Sequence, residues 1–277
     1  MAIQSSASAN SDCGAWPKRS VTVNDSKLPI SVVIISKNAA LSIRACLASV
    51  TFVDDIVVVD SGSVDATRDI AAQYGARIFE HEWRGFGPQK QFAVSQARHD
   101  WVLCLDADER VSPVLAQGLR AALTNPVHKV YAMPRCNRFM GRWLRHGEGY
   151  PDWSLRFFDR RHARWSDDAV HEKVVTGESV GKIAGDLLHE SAEDLTEYLA
   201  KQNRYTMLQA NILLGQGKRP TLIQLLLSPL ARFCKFYFLR LGLLDGLPGL
   251  VHITIGCYNG FMKYAKLYEL RRKRGTA

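Results

Sequence analysis

Three short runs of apolar, mostly β-branched residues constrain this chain most: Pro29–Ile35, Ile56–Val59 and Trp101–Leu105. Each is nearly unbroken rather than alternating, so both faces of each strand must be covered. Helical stretches from Leu41 to Val50 and from about Val64 to Tyr74 follow the first two runs, and a further short strand spans Ala76 to Glu80. Apolar strands alternating with helices predict a mostly parallel sheet between helical layers, an α/β fold. In open sheets of this kind ligands bind beyond the carboxyl ends of the strands. Lys37, Asn38, Asp60, Asp106 and Asp108 all fall at such ends, and Ser61-Gly62-Ser63 forms a turn after the second strand.

Asp106 and Asp108 close the third run one residue apart. In an extended backbone residues two apart point to the same side, so both acids face one small polar site that suits a cation, a ribose or both. They are not needed as helix caps, because Ser112-Pro113 already supplies an N-cap followed by proline at the first helical position. After the first strand stands Ser36-Lys37-Asn38-Ala39 and not a glycine-rich phosphate loop, and no Gly-x-x-x-x-Gly-Lys occurs. Both facts argue against a dinucleotide-binding Rossmann domain or a P-loop nucleotidase. An aspartyl phosphatase would carry its nucleophile on the first strand, which here has no carboxylate.

Taken together, Ser31-Val-Val-Ile-Ile-Ser-Lys-Asn38, Asp54-Asp55-Ile-Val-Val-Val-Asp60-Ser-Gly-Ser63-x-Asp65-x-Thr67 and Leu105-Asp106-Ala-Asp108-Glu109 resemble glycosyltransferase family 2, nucleotide-sugar transferases of the GT-A fold. Downstream, Gly85-Phe-Gly-Pro-Gln-Lys90-Gln, Tyr150-Pro-Asp152-Trp-Ser-Leu-Arg156-Phe-Phe, Val170-His171-Glu172 and Leu188-His189-Glu-Ser resemble the branch containing lipopolysaccharide inner-core β-1,4-glucosyltransferases. The resemblance runs from about Leu28 to the C-terminus. It implies that Asp60 accepts a hydrogen bond from the nucleotide base, Asp106 contacts the ribose and Asp108, with Asp106 beside it, ligates a Mg²⁺ or Mn²⁺ ion bridging the diphosphate. Such ions favour carboxylate and phosphate oxygens. Lys37, Asn38, Ser61 and Gly62 complete the expected nucleotide-sugar site. Lys90, near the start of a helix, is placed to reach the diphosphate or sugar, or else to lie solvated in the first turn.

Direct displacement at an anomeric carbon also needs a general base for the acceptor hydroxyl. Asp152 and Glu172 are the acids in family-like motifs. Glu172 is favoured, because the apolar Val174-Val175 beside it would raise its proton affinity. His171 is a ligand, a base or an orienting group for Glu172. His189 completes the metal site or is a hydrogen-bonded histidine. Arg156, in a stretch with Trp153, Phe157 and Phe158, grips an anionic acceptor or packs its stem on those rings, and Trp153 belongs to the same expected acceptor site.

The expected organisation is a disordered polar tail at 1–27, a nucleotide-sugar half at 28–125, an acceptor half at 126–190 and a helical appendage at 191–277, its first helix running from about Ala192 to Leu214. The tail lacks the apolar core of a signal peptide. Six cysteines without a Cys-x-x-Cys pair fit reduced thiols in the cytoplasm.

The chain carries a net charge of +9, and the excess lies in the last quarter. From Lys201 onward 13 Lys and Arg face only Asp245 and Glu269. Apolar stretches there, Leu222–Leu230, Phe233–Leu244 and Leu247–Met262, are too interrupted by charge, glycine and proline for a spanning helix. Helices lying on an anionic bilayer suit them better, with Phe233, Phe236, Tyr237 and Phe238 inserted; the alternative is packing on the catalytic domain. The expected activity is inverting transfer of a hexose, glucose from UDP-glucose, to a lipid-linked inner-core glycan at the inner face of the cytoplasmic membrane. A polyprenyl phosphate or another polysaccharide is the alternative acceptor. Nucleic-acid binding is the non-enzymatic alternative, and with no reader motif and basic residues mixed among long apolar ones, no nucleic-acid partner is expected.

Overall fold

The structure, a computed structural model, describes residues 26–168, 172–190 and 194–275. In chain order the core comprises β1 (Leu28–Ser36), α1 (Ile43–Ala48), β2 (Val53–Asp60), α2 (Thr67–Gln73), β3 (Arg77–Glu80), α3 (Phe86–Ser95), β4 (Trp101–Asp106), β5 (Glu109–Val111) and α4 (Pro113–Thr124). The strands β6 (Val130–Phe139), β7 (Arg142–Trp143), β8 (Asp152–Asp159), β9 (Ala163–Trp165), β10 (Val174–Thr176), β11 (Val180–Lys182) and β12 (Leu187–His189) follow. The main sheet runs β3-β2-β1-β4-β8-β6-β12-β5, with β7 and β11 also paired to β6. β3, β2, β1 and β4 are parallel, while β8 runs antiparallel to β4 and β6. This is the mixed, mostly parallel sheet expected of a GT-A fold. Its two expected halves share one sheet through β4 and β8.

The unbroken apolar runs are explained by β1, whose alternate residues enter different cores. Ile30, Val32 and Ile34 pack with α1 and α4 residues such as Leu47 and Leu115, whereas Val33 and Ile35 pack with Ala93 and Val94 of α3. Helix α4 starts as expected, with the Ser112 hydroxyl accepting from Leu115 N at 3.2 Å. Register then places the polar strand ends together: Ser36 lies opposite Asp60, and Ile35 opposite Asp106.

Beyond β12, α5 (Leu195–Gly215), α6 (Leu222–Phe233) and the 30-residue α7 (Gly246–Gly275) form the appendage. α6 continues into a π-helical segment, Cys234–Leu239, and the 18 residues Leu222–Leu239 have a mean hydropathy of 1.4 with none of them buried. By length and composition this one helix is apolar enough to cross a membrane, although Pro229, Arg232 and Lys235 lie within it. Its exposed residues are mainly leucines, and of the four aromatic residues expected there Phe238 is exposed, while Phe233 and Tyr237 stack on one another and Phe236 lies under Arg232 and Lys235. α5 and α7 pack through Ala210, Leu214 and Leu267. The appendage is tied to the sheet domain by polar contacts. Buried Asp245 accepts from the backbone N–H of Arg145 and His146 at 3.1 and 2.8 Å, Arg232 pairs with Glu148, and Arg142 donates to the Leu244 carbonyl at 2.9 Å. The expected disordered tail lies outside the described residues, apart from its last two.

A candidate active site at the carboxyl ends of the strands

The loops after β1 and β2 are laced together by side chains. Asn38, at φ +50°, accepts from Val64 N through its amide oxygen, Ser63 and Thr67 accept from the backbone of Asn38 and Ala39, and Asp65 accepts from Ala40 N. Asn38 therefore holds a loop, and Lys37 beside it stays exposed. Asp60 is fully buried and accepts twice on each oxygen, from Gly62 N and Ser63 N on one and from the Ser36 and Ser63 hydroxyls on the other. A carboxylate offers roughly four acceptor positions. Asp60 therefore organises the Ser61–Ser63 turn, where Gly62 adopts φ +82°, and has no acceptor left for a base. The Ser61 hydroxyl accepts from Gln89 at 2.9 Å.

Asp106 is the last residue of β4, and Ala107-Asp108 turn the chain into β5, so the two acids take different partners. Asp106 accepts from Arg156 at 2.7 Å and lies 3.0 Å from the Lys90 ammonium. Burial alone would raise its proton affinity, but those two cations outweigh it and hold the carboxyl well below the usual carboxylate range. Lys90 also donates to Glu172 at 2.8 Å. Arg156 bonds Glu109 at 2.8 Å, and Glu109, fully buried, lies 3.7 Å from Arg135 and accepts from Asp106 N at 3.0 Å. Arg135 bonds Asp152 at 2.8 Å. An alternating chain of charges thus connects the two candidate bases: Glu172, Lys90, Asp106, Arg156, Glu109, Arg135, Asp152. Trp165 lies beneath it, 4.8 Å from Lys90 Nζ and 5.7 Å from Arg156 Cζ.

α3 brings Lys90 to this position only because Gly87 lies against the 166–168 loop. A Cβ at Gly87 would meet the Ser166 carbonyl oxygen at 2.1 Å, and Gly87 N donates to the Asp168 carbonyl.

Asp108 faces His189 across 3.3 Å, measured from Nε2. The other ring nitrogen, Nδ1, donates to the Asn137 amide oxygen at 2.8 Å, so a ring without a proton on Nε2 would offer that nitrogen's lone pair to a cation. A carboxylate oxygen and an imidazole lone pair set face to face suit a shared divalent cation, with the ring oriented from behind by Asn137. Among the described residues no cluster of three or more His, Cys, Asp or Glu side chains suits a metal ion. A cation held here would complete its shell with ligand oxygens and water, as Mg²⁺ and Mn²⁺ do.

Two cavities meet at this point. One of about 750 Å³ is lined by Lys37, Asn38, Trp83, Phe86, Asp106 and Asp108. The other, about 590 Å³, is lined by Asn137, Arg138, Glu190, Tyr198 and His252. Arg135, His189 and Lys201 line both. Lys37 and Trp83 also border a further space of about 480 Å³ with Asp60, Ser61 and Gly62.

Several expectations change. Arg156 grips no acceptor: it is buried, and its guanidinium is engaged by Asp106 and Glu109. Trp153 points to the sheet face opposite its neighbour Asp152 and carries Lys182 at 4.5 Å over its ring, outside both cavities. Asp106 is committed to Lys90 and Arg156, so of the three expected metal ligands Asp108 and His189 are the two that face one another. Glu172 faces the Lys90 ammonium instead of apolar surroundings, and Val175 beside it is exposed. His171 lies outside the described residues.

Sequence reasoning did not single out Glu109, Arg135, Asn137, Tyr198, Lys201 or Tyr205. Glu109 had a local signal in its place after Asp106-Ala-Asp108. The others reach the cleft from β6 and α5 by tertiary packing, for which nothing in the local pattern speaks.

Comparison with known proteins identifies the family. The family described as Glycosyl transferase family 2 matches residues 31–177. The lipopolysaccharide core biosynthesis glycosyltransferase LpsC of Rhizobium meliloti is 32% identical over 252 residues, covering 88% of this chain and 93% of that protein. An uncharacterised glycosyltransferase of Rickettsia typhi is 30% identical over 257 residues, covering 88% of each. Among solved structures, S. aureus TarS 1–349 in complex with UDP covers 88% of this chain and 91% of its own, at 14% identity and a TM-score of 0.47.

Proposed function

We infer the function from one premise: the chain belongs to glycosyl transferase family 2 and is a glycosyltransferase. We propose that it moves a hexose, glucose from UDP-glucose, with inversion onto an inner-core lipopolysaccharide acceptor at the inner face of the cytoplasmic membrane. The likeness to LpsC over nearly the whole of both chains supports the acceptor class. The observation that carries the chemistry is the meeting of two cavities at Arg135, His189 and Lys201, beside Asp108 of the larger one, which gives a donor and an acceptor a shared boundary.

In this reading the nucleoside diphosphate lies in the larger cavity, along the ends of β1 and β4, and the acceptor glycan in the smaller one. The bond from the anomeric carbon to the β-phosphate oxygen breaks at the boundary, and its electron pair leaves with the diphosphate. The acceptor hydroxyl forms the new bond and yields its proton to a carboxylate, Glu172 in preference to Asp152 because Glu172 is tied through Lys90 to Asp106 on the donor cavity. Lys90 fixes Glu172 and Asp106 relative to one another. A Mg²⁺ or Mn²⁺ held by Asp108 and His189 would offset the charge gathering on the departing diphosphate.

The membrane role rests on α6, where Leu222, Ile223, Leu226, Leu227 and Leu230 are all more than half exposed. A contiguous apolar face of that kind suits a lipid surface. It favours a lipid-linked acceptor over nucleic acid, the more so because Arg232, Lys266 and Arg271 are engaged within the fold.

The test is incubation of the purified protein with radiolabelled UDP-glucose and core-truncated lipopolysaccharide. Labelled lipopolysaccharide is expected, abolished by EDTA and restored by Mn²⁺. Turnover that persists in EDTA would refute the metal, and label passing only to polyprenyl phosphate would refute the acceptor.

A further inference from the structure

The acceptor cavity does not stop at α5. Its residues Tyr198 and His252 also line a separate cavity of about 300 Å³ between α5 and α7. We propose that this inter-helix cavity is a second acceptor subsite, which holds a sugar of the acceptor glycan on the lipid side of the one that receives the hexose. The inference rests on the lipid-linked acceptor reading above.

Position is the first ground. The cavity is also lined by Arg232, which belongs to α6, the helix with the exposed leucine face. An acceptor whose lipid end lies at that face, and whose receiving hydroxyl lies at the boundary of the two larger cavities, must cross the appendage between them. The inter-helix cavity shares residues with the acceptor cavity and with α6, and so lies on that path.

Chemistry is the second. Gln202 and Gln209 of α5 and Asn259 of α7 line the cavity with amides, each of which offers both donors and acceptors. Asn259 donates to Gln202 at 2.9 Å, which uses one position on each of those amides and leaves others. Sugar hydroxyls, donors and acceptors at once, match such a lining, and the rings of Tyr198 and Tyr205 offer apolar faces to the C–H groups of a sugar. Of the charged residues in the wall, Arg232 and Glu148 pair with one another and Lys263 lies 4.7 Å over the ring of Tyr264. The uncharged groups therefore carry the recognition.

The third ground is a glycine. Gly256 and Gly260 of α7 both line the cavity, and glycine weakens a helix interior relative to alanine. Gly256 has a packing reason, since a Cβ there would meet the Glu148 carboxylate at 2.4 Å. Gly260 has none: among the described residues a Cβ there would meet nothing within 4 Å. Its missing side chain keeps open the space a ligand would fill.

Gly260→Leu fills the cavity from a position where its Cβ meets no neighbour, and Gly260→Ala restores helix propensity while leaving most of the space. Transfer from radiolabelled UDP-glucose in Mn²⁺ is measured to core-truncated lipopolysaccharide, intact and with its acyl chains removed. Gly260→Leu is expected to raise the KM for both acceptors about tenfold, the worth of one or two lost hydrogen bonds, with kcat and UDP affinity nearly unchanged. Gly260→Ala is expected to keep the wild-type KM. An unchanged KM in Gly260→Leu overturns the subsite, and so does a matching loss of UDP affinity, which would mean a distorted cleft. A rise confined to the acylated acceptor gives the cavity to lipid and overturns the sugar assignment. If the wild-type protein labels neither acceptor, the acceptor reading itself falls and takes this one with it.

Discussion

Asp106 accepts from one arginine and one lysine at once, and this decides which chemistry it can take part in. Ionised by both cations, it is an anchor for Lys90 and Arg156 rather than a base, and it stays charged at any pH where the enzyme would work. The proton acceptor must be sought at the ends of the charge chain, at Glu172 or Asp152. Glu172→Gln is nearly isosteric and can still accept from Lys90, so UDP-glucose binding should persist, whereas kcat should fall by about 10²- to 10⁴-fold. Asp152→Asn should leave kcat within about tenfold, since Arg135 keeps Glu109 as a neighbour. The opposite pattern in single-turnover transfer assays moves the base to Asp152.

At the scale of elements, α6 differs from every other helix in burying no residue. Its capping box, Thr221 with Gln224, fixes where it starts, and its inward stripe packs on α7, yet its leucine face has no protein partner among the described residues. Basic residues near an anionic leaflet contribute on the order of 1 kcal/mol each, and salt screens them over roughly 10 Å. Inserted leucines are insensitive to salt. The protein should therefore bind anionic vesicles in two parts, one eluted by high salt and one released only by detergent. Leu226→Glu with Leu230→Glu should abolish the second part without unfolding the chain, because these side chains are 61% and 60% exposed. Flotation of that variant in high salt equal to wild type would show that α6 is not the inserted element.

For the whole molecule, the sheet and the strand-end acids were legible because both are local. A doubly covered strand reads as an unbroken apolar run, and register alone sets Ser36 opposite Asp60 and brings Asp106 opposite the neighbouring Ile35. What Asp60 and Arg156 do was not legible, because an acceptor that is saturated by its own turn has the same sequence as one that is open. Nor was the closing wall of the cleft, since α5 reaches it through the docking of α7. That docking has a weak point. Asp245, 2% exposed, accepts from the backbone N–H of Arg145 and His146 and from the His146 ring, and so joins the start of α7 to the sheet domain. Asp245→Ala orphans those donors and should cost about 2–4 kcal/mol of stability. If α5 belongs to the donor site, this variant should also bind UDP more weakly well below its melting temperature. Asp55→Ala provides the control. It removes a buried acceptor of comparable kind, bonded to Ser31, Arg77 and Arg98 N near the amino end of β2, away from the cleft. Asp55→Ala should lower the melting temperature and leave UDP affinity intact; equal UDP affinity in both variants would mean that the donor site is complete without the appendage.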